Sequence, residues 1–94
     1  MSVYVDEAIF QRWGIRWCHL TADTPEELHA FAQTLGLARS RFQHKPHRPW
    51  VDHYDITEAK RSEAVALGAI EISVRQAGEQ LARKRRAARG QLDR

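Results

Sequence analysis

Thr24-Pro25-Glu26-Glu27-Leu28-His29-Ala30-Phe31-Ala32-Gln33-Thr34-Leu35-Gly36 is the stretch on which the fold turns. A threonine followed three residues later by glutamate is a capping box, and proline at the first helical position already has the φ that a helix needs. Leu28, Phe31, Ala32 and Leu35 recur at i, i+3, i+4 and i+7, which puts them on one side of a helix. Gly36 is the natural stop, because glycine accepts left-handed backbone. The spacing predicts a core-facing helix over residues 25–35. His29 falls off the stripe and is expected at the surface.

On either side the period changes from 3.6 to 2. Residues 17–22 alternate as a strand, with Trp17, His19 and Thr21 on one face and Cys18, Leu20 and Ala22 on the other. Residues 2–5 are β-branched and aromatic and read as an earlier strand ending at Asp6. Residues 7–16 read as irregular, with Trp13-Gly14 as a turn. Residues 37–50 form a connector rich in Arg, His and Pro. Residues 41–44 can pair there as a short strand, while Pro46 and Pro49 exclude a central strand or a helix from the rest. Residues 51–56 read as a strand, and Asp55 or Thr57 caps a helix over 57–67 that Gly68 ends. Residues 69–73 read as a strand, and Ser73 with Gln76 caps a last helix bearing Val74, Ala77, Gly78, Leu81 and Ala82 on one side.

The order β-β-α-β-α-β-α describes an α/β domain with a small mixed or partly parallel sheet and a basic C-terminal helix. Strands alternating with helices predict right-handed crossovers and a parallel section. In such sheets ligands sit beyond the carboxyl ends of the strands, beside helix N-termini. Three helix starts are expected near one such edge.

At 94 residues the chain suits one domain. The single cysteine, Cys18, excludes an intrachain disulfide and a cysteine-rich zinc site. The N-terminus lacks a basic segment followed by an apolar stretch, and no apolar run approaches the ~18 residues of a membrane span. A cytoplasmic setting is expected. Charge is uneven: residues 83–94 hold six basic groups and one acid, whereas residues 1–82 hold nine basic and eleven acidic groups. The chain therefore divides into a compact body, 1–82, and a basic helical extension, 83–94. The extension can neutralise nucleic-acid phosphates or simply be a solvated end.

Candidate chemistry falls into two sets. His53-Tyr54-Asp55 puts two potential metal ligands on one strand face, and His19 lies on a face of its own strand. A zinc or manganese site can be assembled from His19, His53 and Asp55 with His44 or His47. Asp6, just past a first strand, is a second candidate ligand, pairing with Asp55 on a divalent metal; its alternative is a turn bond to its own backbone. The other set suits a phosphorylated or nucleotide-like small anion: His19, Arg41, His53, Asp55, Thr57 and Lys60 near capped helix starts. Arg39, Lys45, Arg48 and Arg61 add charge, and Trp13, Trp17 or Trp50 can stack on a ring.

Three segments also carry a family resemblance. Val3-Tyr4-Val5-Asp6-Glu7-Ala8, Arg16-Trp17-Cys18-His19-Leu20 with residues 24–32, and residues 53–61 with 66–69 resemble the domain of unknown function 4031 of bacteria and phages. The resemblance spans roughly residues 2–73 and implies that His53, Asp55, Thr57 and Lys60 belong to the family's pattern. It implies a compact domain and no particular activity. Three functions stay open: a binding module for an anionic small molecule, a metal-dependent phosphoesterase or nuclease, and a partner-binding protein that uses Val74, Ala77 and Leu81.

Overall fold

Positive φ at two successive residues, 56° at Trp13 and 72° at Gly14, closes a two-residue hairpin with the twist that flanking strands need. Glycine takes this backbone freely; the Trp13 ring is held by the Arg12 guanidinium 4.7 Å from its centroid and by Trp17 edge-on at 6.1 Å. The computed structural model describes residues 2–92. The hairpin joins β2 (Phe10–Arg12) to β3 (Ile15–Ala22), with Arg12 opposite Ile15 and Phe10 opposite Trp17. The sequence reading makes this segment irregular. One aromatic and two polar residues with no β-branched member are too short a strand signal to read, and β2 is a strand because the turn lays it beside β3.

Around β3 the sheet builds in both directions. β1 (Val3–Val5) pairs antiparallel with its far half, Val5 opposite Leu20. β5 (His53–Thr57) pairs antiparallel with its other edge, Cys18 opposite Ile56 and His19 opposite Asp55. β4 (Phe42–Gln43) adds to β5, and β6 (Ile70–Glu71) pairs parallel with β1, giving the order β4-β5-β3-β1-β6. The fold is thus α/β with a mixed sheet. The parallel section is smaller than the alternation implies, because β3 and β5 are antiparallel. The cause is β4: one extra strand between the first helix and β5 reverses the chain once more.

Three helices complete the domain. α1 (Pro25–Thr34) has its Thr24 Oγ1 accepting the Glu27 N–H at 3.2 Å. α2 (Glu58–Ala66) is capped by Thr57, whose Oγ1 accepts the Lys60 N–H at 3.2 Å; of the two residues offered for that role, Asp55 is left for another. α3 (Val74–Leu92) opens with the Ser73–Gln76 capping box, both bonds formed. Since β3 runs against β5 and β6, α1 starts at the opposite sheet edge from α2 and α3. The three helix starts do not converge as expected.

The core lies on one face, where Val5, Cys18, Leu20, Ala22, Tyr54 and Ile56 meet Leu28, Ala32 and Leu35, with Ala64 the buried residue of α2. His29 is half-buried here rather than at the surface. Its ring lies edge-on to Phe42 at 4.5 Å, and its Nδ1 is 2.9 Å from the Tyr54 hydroxyl. β4, unseen in the helix's own periodicity, folds Phe42 over that flank. Of the tryptophans, Trp17 is buried, Trp50 half-buried and Trp13 78% exposed.

The other sheet face carries His19, Thr21, Asp55 and His53, partly covered by α3. That helix continues unbroken past residue 82, and Lys84 Nζ donates to the Ala22 carbonyl at 2.6 Å, so it is joined to the body beyond the expected boundary. Asp93 and Arg94 of the basic segment lie outside the described residues. Among the described residues no helix is long and apolar enough to cross a membrane.

Candidate metal centre

Period-2 geometry puts His53 and Asp55 on the same face of β5, and the antiparallel register places Asp55 beside His19 on β3. His53 Nε2 is 3.2 Å from Asp55 Oδ1, and His19 Nε2 is 3.9 Å from the same oxygen. One ligand atom from each of the three residues lies within 4.8 Å of the others. Ligand bonds of ~2.0–2.2 Å in a tetrahedral site separate neighbouring ligands by about 3.4 Å, so the cluster needs only small side-chain movements to close on an ion. Two imidazoles and a carboxylate suit a borderline divalent metal such as Zn²⁺, and the carboxylate also admits the harder Mn²⁺.

Both rings are already turned for coordination. His19 Nδ1 lies 2.7 Å from Asp6 Oδ2, and His53 Nδ1 lies 2.5 Å from the Val51 carbonyl. With each Nδ1–H donated to an oxygen, the lone pair of each neutral ring sits on Nε2, on the Asp55 side. The T-shaped contact of the two rings, 4.9 Å between centroids, holds their relative orientation.

Asp6 therefore has a different place from the one its position suggests. It is 8% exposed, its Oδ1 accepts the His19 backbone N–H at 2.6 Å, and its other oxygen faces Nδ1. The His19 imidazole stands between Asp6 and Asp55, with Nδ1 toward the first and Nε2 toward the second, and Asp6 lies outside the three-residue cluster. Its hydrogen bond, followed by its charge and that of Asp55, raises the His19 pKa above the ordinary value against the effect of burial.

The raised pKa has a sign that can be tested. A protonated His19 stabilises the apo fold below about pH 6.5, the ordinary histidine value, and that contribution is lost as pH rises through the raised value. A metal takes the unprotonated ring, so its affinity falls as pH drops through the same range. Asp6→Asn keeps an acceptor for the backbone N–H and removes the charge. His19 should then titrate at lower pH by NMR, and zinc affinity at pH 8 should fall ~10–100-fold. An unchanged His19 titration would contradict this assignment.

The remaining residues singled out from the sequence divide between structure and surface. Lys60 Nζ donates to the Leu35 carbonyl at 3.0 Å and pairs with Glu63 at 3.2 Å. Arg61 ties the Asp6 carbonyl, 2.7 Å, to Glu71, 3.0 Å. Arg41, Thr57 and Lys60 do share a cavity of about 230 Å³ with Asp55 and Trp17. His44 pairs with Asp52 at 2.6 Å, and His47 is exposed; neither joins the three-residue cluster. Cys18 is buried among apolar side chains, and burial pushes its thiol up to about 12, which removes it as a nucleophile.

Two neighbours of the cluster escape the sequence reading. Arg12 stacks against Trp17, 4.8 Å from the ring centroid, and its Nη2 is 3.8 Å from Asp55 Oδ2. Nothing marks it until the hairpin is known. A cavity of about 340 Å³ opens from His19 and His53 toward α3, walled by Trp50, Leu81 and Lys84. Lys84 did leave a signal: it stands three residues past Leu81 and so continues the inward stripe. Burial lowers its pKa, with Asp23 and Asp52 acting the other way.

Among comparisons with known proteins, no curated protein and no solved structure matches the chain. A family model described as protein of unknown function (DUF4031) matches residues 3–84. That span contains Asp6, Arg12, His19, His53 and Asp55 and ends at Lys84. With nearly its whole described length matched, the chain belongs to the DUF4031 family.

Proposed function

We propose that this domain is a divalent-metal-dependent hydrolase of phosphate esters, its ion held by His19 Nε2, His53 Nε2 and Asp55 Oδ1. The observation that carries the reading is the convergence of these atoms while both Nδ1 positions are tied to acceptors. Three protein ligands leave a coordination position open, the arrangement of catalytic rather than structural zinc sites. An ion held there would supply Lewis-acid polarisation of the ester and would lower the pKa of a bound water to about 7. Arg12, beside Asp55, is placed to meet the charge that develops on a phosphoryl oxygen.

The test is hydrolysis of bis(p-nitrophenyl) phosphate and p-nitrophenyl phosphate by protein loaded with Zn²⁺ or Mn²⁺. Nitrophenolate release should require the metal, stop on chelation and vanish in His53→Ala. Tight metal binding with no turnover of either ester would overturn the hydrolase reading.

A second reading is a binding module for a phosphorylated small molecule, favoured by the cavity that Arg41, Thr57 and Lys60 share with Asp55. It predicts stabilisation of the metal-free protein by inorganic phosphate or nucleotides, which the first reading does not. The exposed Arg83, Arg85, Arg86 and Arg89 of α3 add a nonspecific, salt-sensitive nucleic-acid contact to either reading.

A further inference from the structure

We infer that the ligand of this centre carries a second anionic group, received by Lys84, with a flat or apolar body lying between the two charges. The inference rests on His19, His53 and Asp55 as the metal ligands and specifies what the adjoining cavity takes. The cavity is lined by His19 and His53 and also by Lys84. The rest of the lining is largely apolar, with Trp50, Ile72, Val74, Ala77 and Leu81 beside the polar Thr21, Asp52 and Gln80. At about 340 Å³ it is within the lower range of small-ligand sites.

Lys84 is the lysine lining that space, which Asp6 and Asp52 line as well. Its ammonium is anchored by one bond to the Ala22 carbonyl, 2.6 Å, which leaves two of its three protons to donate. Ala22 lies three residues beyond His19 on β3, so at ~3.3 Å per residue the ammonium stands on the order of 10 Å from the ligand cluster. An ester phosphate at the ion and a second phosphate at Lys84 are separated by about one nucleoside unit. The aromatic face of Trp50 suits a base or similar ring in that interval. The chemical class is a phosphate ester with a second phosphate one sugar–base unit away, as in a 5′-phosphorylated dinucleotide.

Isothermal titration with two probes, thymidine dinucleotide with and without a 5′-phosphate, decides the matter. Zn²⁺-loaded wild type should bind the 5′-phosphorylated form at least tenfold more tightly. Lys84→Met, which keeps the apolar stem, should bind both forms alike, while Lys84→Arg keeps most of the preference. Zinc affinity of Lys84→Met should match wild type, while its thermal unfolding falls modestly with loss of the Ala22 bond, a loss that Lys84→Arg limits. Equal binding of the two probes by wild type, binding of neither, or a preference that survives Lys84→Met would overturn the inference. Running the same titrations without zinc separates the two readings. A protein that takes no zinc removes the metal centre, whereas the Lys84-dependent preference tests only the anion site.

Discussion

Asp55→Ala should weaken zinc binding at least ~100-fold, since it removes one of three ligands and perturbing a supporting residue alone already costs ~10–100-fold. Asp55 Oδ1 is the atom both imidazoles face, at 3.2 and 3.9 Å. Without it two histidines remain, too few for a stable protein site. The apo fold should survive, because Asp55 faces away from the core and its other close neighbour is Arg12. Zinc at 100 times its Kd should stabilise wild type by about 2.7 kcal/mol, and Asp55→Ala should show almost none of that shift. Calorimetric titration and thermal unfolding check the two halves separately. A variant that still binds zinc within threefold of wild type would sink the assignment of Asp55 as a ligand.

Leu20→Ala should cost ~2–5 kcal/mol, the range for leucine truncations that leave a cavity in a packed core. Leu20 is fully buried, opposite Val5 on one side and Tyr54 on the other, so it is the residue that joins three strands on the core face. Stability of ~0.05–0.15 kcal/mol per residue gives this chain roughly 5–14 kcal/mol in all, so the substitution removes a large fraction of it. Urea unfolding measures the loss. His19 precedes Leu20 and points to the opposite face, so the folded variant should keep its zinc affinity. A loss under ~1 kcal/mol would mean the core is not centred on β3.

Helix α1 was legible in the sequence because its signals are local. A cap, a first-turn proline, a 3.6-residue stripe and a terminal glycine act within a dozen residues, and the Thr24 bond forms as the spacing implies. The capping box of α3 and the alternation along β3 and β5 are local in the same way, so the faces carrying His19 and His53 with Asp55 could be read directly. The tertiary structure decided whether those faces meet. β2 and β4 exist only by pairing, and β4 is what turned β5 antiparallel to β3 and split the helix starts between two edges.

The candidate centre depends on the same long-range choice. The register that sets Cys18 against Ile56 is the one that sets His19 against Asp55. A slip of one residue would send a whole strand's side chains to the other face, and burial of Cys18, Leu20, Tyr54 and Ile56 forbids it. Residue types and faces are properties of a few consecutive positions, so the sequence alone marked His19, His53 and Asp55 as candidates, but alongside Asp6, His44 and His47, which lie outside the cluster. The adjacency of those ligands, the orienting carboxylate of Asp6 and the reach of Lys84 are consequences of core packing between segments 13 to 62 residues apart, which only the tertiary structure decided.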